Sequence, residues 1–360
     1  MTPRRAIARA GLRASSLVLA LVAMACDRAP EVTVYTSADQ QDVAEPIFRR
    51  FEAETGIRVR ARFDTEATKT TALANALRSE RGRPRADVFW SNEQAANVAL
   101  ASEGVTASVG GEDAALAAAV ASWPARWRDP DGRWVAFAGR ARVVVHDPER
   151  VSDPPTTWAG LCDPRWRGRI AMADPRFGTT RSHFGAMKAY WDEHAAAGTF
   201  DAFVDALVAN RPMVLTSGNA GVVDAVARGE ADVGMTDTDD VFAAQARGVR
   251  VVAVYPRHAH DPLHPAGGTF VIPNTVAMVA GAPHPEAARR FISFMLEPST
   301  ERQLAEATSR HIALVHSPSE GAAPTDIDPW LGVDPQAVAR EADPAVERFM
   351  KAMRTAWPDD

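Results

Sequence analysis

Short apolar runs alternate with longer stretches of helical periodicity along most of this chain, and that alternation restricts its fold more than any other feature. Val32 to Tyr35 reads as a strand, and Gln40 to Thr55 follows with Val43, Ile47, Phe48 and Phe51 at helical spacing. Gly56 stands in the usual position to end that helix. Ile57 to Phe63 is a second strand, Ala67 to Glu80 a helix, 81–85 a loop and Ala86 to Trp90 a short apolar strand, after which a helix runs to Ser102. The same rhythm returns later. Arg169 to Ala173, Met213 to Leu215, Ala231 to Met235 and Val249 to Tyr255 read as strands, with helices over Arg181 to His194, Phe200 to Asn210 and Ala220 to Arg228. Strands alternating with helices specify a mostly parallel α/β sheet. Ligands of such sheets gather beyond the carboxyl ends of the strands.

Between the two series, residues 105–132 are mixed and rich in tryptophan, and Trp134 to Pro148 is one long β-rich run. That run reads as a crossover between two lobes. Gly268 to Ile272 and Thr275 to Val279 read as two strands that cross back, followed by helices at Pro285 to Leu296 and Ser299 to Ala307. Residues 317–335 are loop-like, and Pro344 to Ala356 reads as a closing helix. A chain of 360 residues has room for two domains with cores of their own.

The first residues carry an address. Arg4, Arg5, Arg9 and Arg13 precede the apolar run Leu17 to Ala25, which is too short to span a bilayer as a helix. Residues 1–25 therefore read as a secretory signal peptide. Cys26 directly after small Ala25 resembles a bacterial lipobox, with Ala23 where leucine is usual. On that reading Cys26 is lipidated, and the exported chain is tethered to the membrane without spanning it. The signal segment holds four arginines and no acid, so its removal takes the net charge from −6 to −10. Such an acidic exported chain is a poor match to nucleic acid. Cys162, the one other cysteine, leaves no internal disulfide and no cysteine-based metal cluster to expect.

The densest chemistry lies in GMTDTDDVFAAQARG, Gly234 to Gly248, where Asp237, Asp239 and Asp240 crowd together at a strand-to-helix turn with Thr236 and Thr238 between them. Three carboxylates so close repel unless positive charge joins them. They also suit a helix start, where aspartates cap free N–H groups. Asp39 and Glu93 fall at the ends of two strands of the first series, next to Ser37 and Asn92. Gly178, Thr179 and Thr180 stand where a helix begins, a place for an anion or for an ordinary cap. Trp90 is placed either to wall a cleft or to pack in a core, and Arg140 in the crossover either to meet an anion or to pair with an acid. His258, His260 and His264 fall within a Pro- and Gly-containing loop. Three histidines so spaced are candidate ligands for a transition metal or a surface cluster.

Several segments together resemble a known family. VTVYTSAD with F-x-x-E-T-G-I, ADVFWSNE with ASEGV, GRARVVVHDP, W-x-G-x-I-A-M-A-D-P, NAGVVDAVARGEADVGMTD and IPNTVAMVAGAPHPEAARRFISFML occur in that order between about residues 32 and 314. They resemble bacterial extracellular solute-binding proteins of ABC transporters, in particular the ferric-iron-binding branch. The resemblance implies an α/β, type II periplasmic-binding fold with its ligand in the cleft between two lobes. Residues 32–135 plus about 257–315 would form lobe 1, about 136–256 lobe 2, and 316–360 a C-terminal loop and helix packed on them. It implies hinge closure on ligand, a periplasmic or cell-envelope location, a monomer, and delivery of cargo to a permease and its ATPase.

Ferric-binding relatives typically ligate iron through a side chain after the first strand, a glutamate after the ADVF-like strand and an adjacent tyrosine pair. Asp39 and Glu93 match the first two positions. The pair would fall near Thr238 and Asp239, but the only tyrosines are Tyr35, Tyr190 and Tyr255, none adjacent to another. The implied metal ligands here are then Asp39, Glu93, Asp237 and Asp239, with Asp240 beside them. A synergistic anion would rest against Gly178, Thr179, Thr180 and Asn219, and Ser37, Asn92, Trp90 and Thr238 would complete the ligand site. The cargo expected first is Fe³⁺ or another metal, with hard oxygen donors in place of phenolates. An organic cation such as a polyamine or thiamine-like compound, or a phosphonate or phosphorylated solute, is the alternative. No G-x-S-x-G elbow, H-E-x-x-H helix or phosphate loop points to an enzyme.

Overall fold

The computed structural model describes residues 29–36, 41–64, 69–258, 267–316 and 331–357. The chain opens with β1 (Glu31–Thr36), α1 (Gln41–Thr55), β2 (Arg58–Phe63), α2 (Lys69–Ser79), β3 (Val88–Ser91) and α3 (Gln94–Ser102). The short β4 (Thr106–Ala107) and α4 (Ala114–Ser122) lead to the long β5 (Val135–His146). The second series is β6 (Ile170–Ala173), α5 (Gly178–His194), α6 (Thr199–Ala209), β7 (Met213–Leu215), α7 (Gly218–Arg228), β8 (Val233–Asp237), α8 (Thr238–Ala246) and β9 (Val252–Val254). Then β10 (Val271–Val279) returns, followed by α9 (Pro285–Met295), α10 (Pro298–Glu306) and α11 (Pro335–Ala356).

The strands are ordered β2-β1-β3-β10-β5-β8-β6-β7, with β4 on β10 and β9 on β5. Parallel pairing joins β1 to β2 and β3, and β6 to β7 and β8. Only β5 and β10 break that sense, and they lie in the middle. Both are buried along their whole length, as a strand covered on both faces must be. The first seven residues of β5, Val135 to Ala141, face β10, whereas Arg142 to His146 face β8. One strand thus belongs to two sheets, and the change of partner falls between Ala141 and Arg142.

Each side has its own core. Val32, Val34, Ile47, Phe51, Trp90, Phe137, Phe291 and Met295 pack on the first side, with Phe51 edge-on to Phe291 at 5.1 Å. Trp158, Phe184, Trp191, Phe200, Phe203 and Phe349 pack on the second, and the far face of that sheet is covered by Val222, Val226, Val241 and their neighbours.

Three local expectations change. The two strands expected at 268–272 and 275–279 are one strand, β10, whose register shifts between Asn274 and Thr275. Pro273 lacks an N–H for the ladder, and an irregularity beside it lets pairing continue. The closing helix starts at Pro335, not Pro344. Asp334 caps it, accepting from Gln336 N at 3.1 Å, and Pro344 lies inside it. The segment 105–132 contains a helix, α4, that burial does not betray, since only Leu116 and Val120 are buried in it.

Candidate functional site

The two lobes meet where β5 changes partners, and the side chains there form one polar network. Arg140 and Arg142 are two apart in a strand, so they project from the same face. Register places Arg142 opposite Asp237, the last residue of β8. Arg142 Nη1 donates to Asp237 Oδ1 at 2.7 Å, and Arg140 Nε donates to Oδ2 at 3.2 Å. Thr179 Oγ1 and Asn219 Nδ2 also donate to Oδ2, at 2.6 and 2.9 Å. Asp237 is only 2% exposed. Burial pushes its carboxyl up, but Arg142 and Arg140 beside it, with the Thr179 bond, hold it below the usual carboxylate range.

Asp239 and Asp240 follow in the first turn of α8, where the helix N-terminus favours negative charge. Oxygens of Asp237, Asp239 and Asp240 all lie within 4.8 Å of one another. Arg140 Nε is 3.8 Å from Asp239 Oδ2. Thr238 accepts a bond from Ala141 N at 3.0 Å, which fixes the turn to β5.

From the first lobe, Arg140 Nη1 donates to Asn274 Oδ1 at 2.8 Å and Nη2 to the carbonyl of Asn92 at 2.7 Å. Arg140 therefore ties both lobes to one guanidinium. Glu93 caps α3, accepting from Ala95 N and Ala96 N at 3.0 and 3.1 Å, and it also accepts from Ser182 Oγ on α5 across the lobe boundary. Asp237, Asp239, Asp240 and Glu93 bring four carboxylates to the junction, with Arg140 and Arg142 among them.

Two helix N-termini open beside the aspartates. The helices α5 and α7 begin at Gly178 and Gly218, both with positive φ, and neither has a side-chain cap. A cavity of about 20 Å³ lies between their first turns, lined by Thr179, Thr180, Asn219 and Asp174 among others. Uncapped helix N–H groups and hydroxyls are the usual donors to an oxyanion. Arg142, fully buried, backs this corner. It donates weakly toward Asn219 Oδ1 at 3.3 Å and Thr179 Oγ1 at 3.5 Å, and its Nη2 has no hydrogen-bond partner among the described residues.

Arg142 also begins a buried chain that sequence reasoning did not find. Its Nε donates to His183 Nδ1 at 3.4 Å, His183 Nε2 lies 3.0 Å from His258 Nε2, and His258 Nδ1 lies 2.8 Å from the carbonyl of Gly268. The end groups set the tautomers: His258 donates to Gly268, and His183 donates to His258, so both rings are neutral. Burial pushes His258 down to about 4, and burial together with Arg142 and His258 drives His183 well below its ordinary value. His258 thus spends both ring nitrogens on buried partners, His183 and the carbonyl of Gly268. Two arginines at alternate positions of an otherwise apolar strand were the readable signal for this network.

Trp90 is completely buried, edge-on to Phe48 at 5.9 Å and Phe137 at 5.3 Å, and its ring packs in the first core. Asn92 is half-buried and brings its backbone to the junction. Ser37, Asp39, Cys26, His260 and His264 lie outside the described residues.

This geometry can be set beside known proteins. Residues 32–307 match the family model for bacterial extracellular solute-binding protein. The chain belongs to that family. Among relatives of this solute-binding protein, Iron uptake protein A1 of Synechocystis is 25% identical over 284 residues, covering 77% of this chain and 74% of the relative. The Fe(3+)-binding periplasmic protein of Serratia marcescens is 28% identical over 290 residues, covering 79% of each. The crystal structure of iron-bound HitA from Pseudomonas aeruginosa superposes with a TM-score of 0.73 at 21% identity, covering 90% of this chain and 99% of that one. The fold is accordingly the two-lobed one of periplasmic binding proteins, built around the shared strand β5.

Proposed function

We propose that this solute-binding protein captures ferric iron, together with an oxyanion, and delivers it to the permease and ATPase of an ABC importer. The observation that carries the reading is the aspartate cluster. Three carboxylates converge within 4.8 Å at the lobe junction, next to two uncapped helix N-termini. Fe³⁺ is a hard cation that favours oxygen donors, so carboxylates can hold it. Relatives named for iron uptake and for Fe(3+) binding support the same cargo.

Roles divide by environment. Asp237 is held by Arg140 and Arg142 and acts as the pillar of the site. Asp239 and Asp240 are the ligands from the second lobe, and Asp39 and Glu93 bring acid from the first. The oxyanion sits at Gly178, Thr179, Thr180 and Asn219, with Arg142 behind it. A cation among these carboxylates relieves their mutual repulsion, and that gain favours closure. Trp90 is a core residue and lends no ring face to an organic cation, which favours the metal over the polyamine-like alternative. We read the protein as a binding component without turnover, exported, tethered through Cys26 and monomeric.

The test is a competition dialysis of the mature protein against a soluble ferric chelator, with and without phosphate. Asp239→Ala and Asp240→Ala should each lower iron affinity by at least about tenfold, the loss of one charged contact. Thr180→Val should weaken only the phosphate-dependent part. Unchanged affinity in both aspartate variants would remove them as ligands.

A further inference from the structure

The start of β1 lies at one end of the sheet, and several loops close around it. Pro30 O accepts from Arg58 N at 2.8 Å, and Thr33 O accepts from Asp87 N at 2.8 Å, so the entries to β2 and β3 flank it. The turn after β10 joins them. His284 N donates to Asp87 Oδ1 at 2.6 Å, and a Cβ on Gly281 would lie 3.5 Å from Pro84 Cγ. Arg81, Arg83 and Arg85 stand on the segment that enters β3, and all three are exposed, as is Arg58.

The acids at this end are matched by other groups. Glu103 accepts from Arg78 Nε and Nη2, both at 2.7 Å, with Arg81 near, and these arginines hold its carboxyl below the usual range. Glu31 accepts from Arg60 Nε at 2.6 Å. Glu80 accepts from the Tyr35 hydroxyl at 3.0 Å, with Arg62 at 3.6 Å. Glu52 accepts from Val59 N at 2.7 Å, and Glu286 in the first turn of α9 has Arg290 one turn on. The side chains of Arg58, Arg83 and Arg85 make no hydrogen bond or ion pair among the described residues. The surplus here is therefore positive, on a chain whose net charge without the signal segment is −10.

We propose that this end of the molecule is a membrane-docking surface, seated on the anionic phospholipid headgroups of the bilayer that holds the tether. The inference rests on the lipidation of Cys26 read above. Glu31 is five residues after Cys26, and at no more than about 3.6 Å per residue that stretch spans at most about 18 Å. The entry to β1 is thus kept within roughly two screening lengths of the lipid surface, at about 8 Å each. Charge around that entry interacts with the headgroups, and the unmatched charge there is arginine. A guanidinium fork pairs well with phosphate. Each arginine close to an anionic leaflet favours it about fivefold. The acidic junction lies at the other ends of the same strands, since Asn92 and Glu93 directly follow β3. Docking by the arginine end therefore leaves the cargo site turned away from the bilayer and open to solute.

The experiment is sedimentation of the mature chain carrying Cys26→Ser with vesicles of equal parts phosphatidylglycerol and phosphatidylcholine, at low ionic strength. Without lipid on the chain, only its surface can hold it to the vesicle. Partition into these vesicles is expected, with none into pure phosphatidylcholine, and it should fall as salt is raised. Arg81→Glu, Arg83→Glu and Arg85→Glu combined should lower it at least about 100-fold. Arg167→Glu, Arg247→Glu and Arg302→Glu combined change the net charge equally at exposed positions on other elements, and should lower it by no more than about fivefold. Iron affinity and circular dichroism should be parental in both. Acylation of Cys26, read as added mass on the N-terminal peptide of protein from the membrane fraction, tests the tether independently of the surface. Absence of phosphatidylglycerol-dependent binding would overturn the proposal, and so would equal losses in the two triple variants. Dimers in lipid-free buffer that only the first triple variant disperses would give the surface to a second copy and overturn it too.

Discussion

Asp237 is the residue on which the site turns. It meets two buried arginines of β5, a threonine of α5 and an asparagine of α7, so three elements converge on it. Removing its charge strands two guanidiniums away from water. Asp237→Asn should therefore cost about 3–5 kcal/mol of stability, the range for breaking a buried ion pair from one side, measured by urea denaturation. Asp240→Asn, half-buried, should change stability by less than about 1 kcal/mol. The histidine pair makes a separate prediction. His258 titrates near 4 in the folded chain and near 6.5 when unfolded. The unfolded chain takes up its proton first as pH falls, so this contribution is present above pH 6.5 and is lost toward pH 4. Stability should drop by about 2 kcal/mol between pH 7 and pH 5 from His258 alone, before carboxylates titrate. A urea midpoint that stays constant over that interval would contradict the buried neutral pair. The carboxylates of the site were legible in the sequence as a dense acidic turn. Their counter-charges were not, because Arg142 lies 95 residues from Asp237 and only strand register brings them together.

At the scale of elements, the strand–helix alternation made most of the fold readable, since each half-buried helix and fully buried strand carries its own period. The misreadings were places where one residue pointed to the wrong local rule. Pro344 resembles a helix start, but Asp334 and Pro335 supply the cap and first turn, and the 22-residue α11 carries Pro344 inside it. Pro273 resembles a strand break, and β10 passes through it by a change of register. The way α11 docks was not readable at all, because it depends on a backbone approach. A Cβ added at Gly185 would lie 2.5 Å from the carbonyl oxygen of Val338 and 2.9 Å from Ala342 Cα. Gly185→Leu should force α5 and α11 apart and cost about 1–3 kcal/mol, as overpacking does. Limited proteolysis should then cut the C-terminal helix first. A variant with parental Tm and protease resistance would contradict this docking.

For the whole molecule, the shared strand β5 joins the two sides of the sheet, and side chains from both sides gather where it changes partner. Arg140 reaches Asn92 and Asn274 on one side and Asp237 on the other, and Glu93 accepts from Ser182 across the boundary. On the proposed reading, a cation bound by the Asp237–Asp240 turn and by acid from the other side of the junction would favour the closed form. The central claim is that the cargo is a metal held by these carboxylates. Elemental analysis with native mass spectrometry, on mature protein purified without chelator, tests it most directly. The account predicts one iron per chain, lost in Asp239→Ala while the variant remains folded. Protein without stoichiometric metal, carrying an organic mass adduct instead, would contradict it.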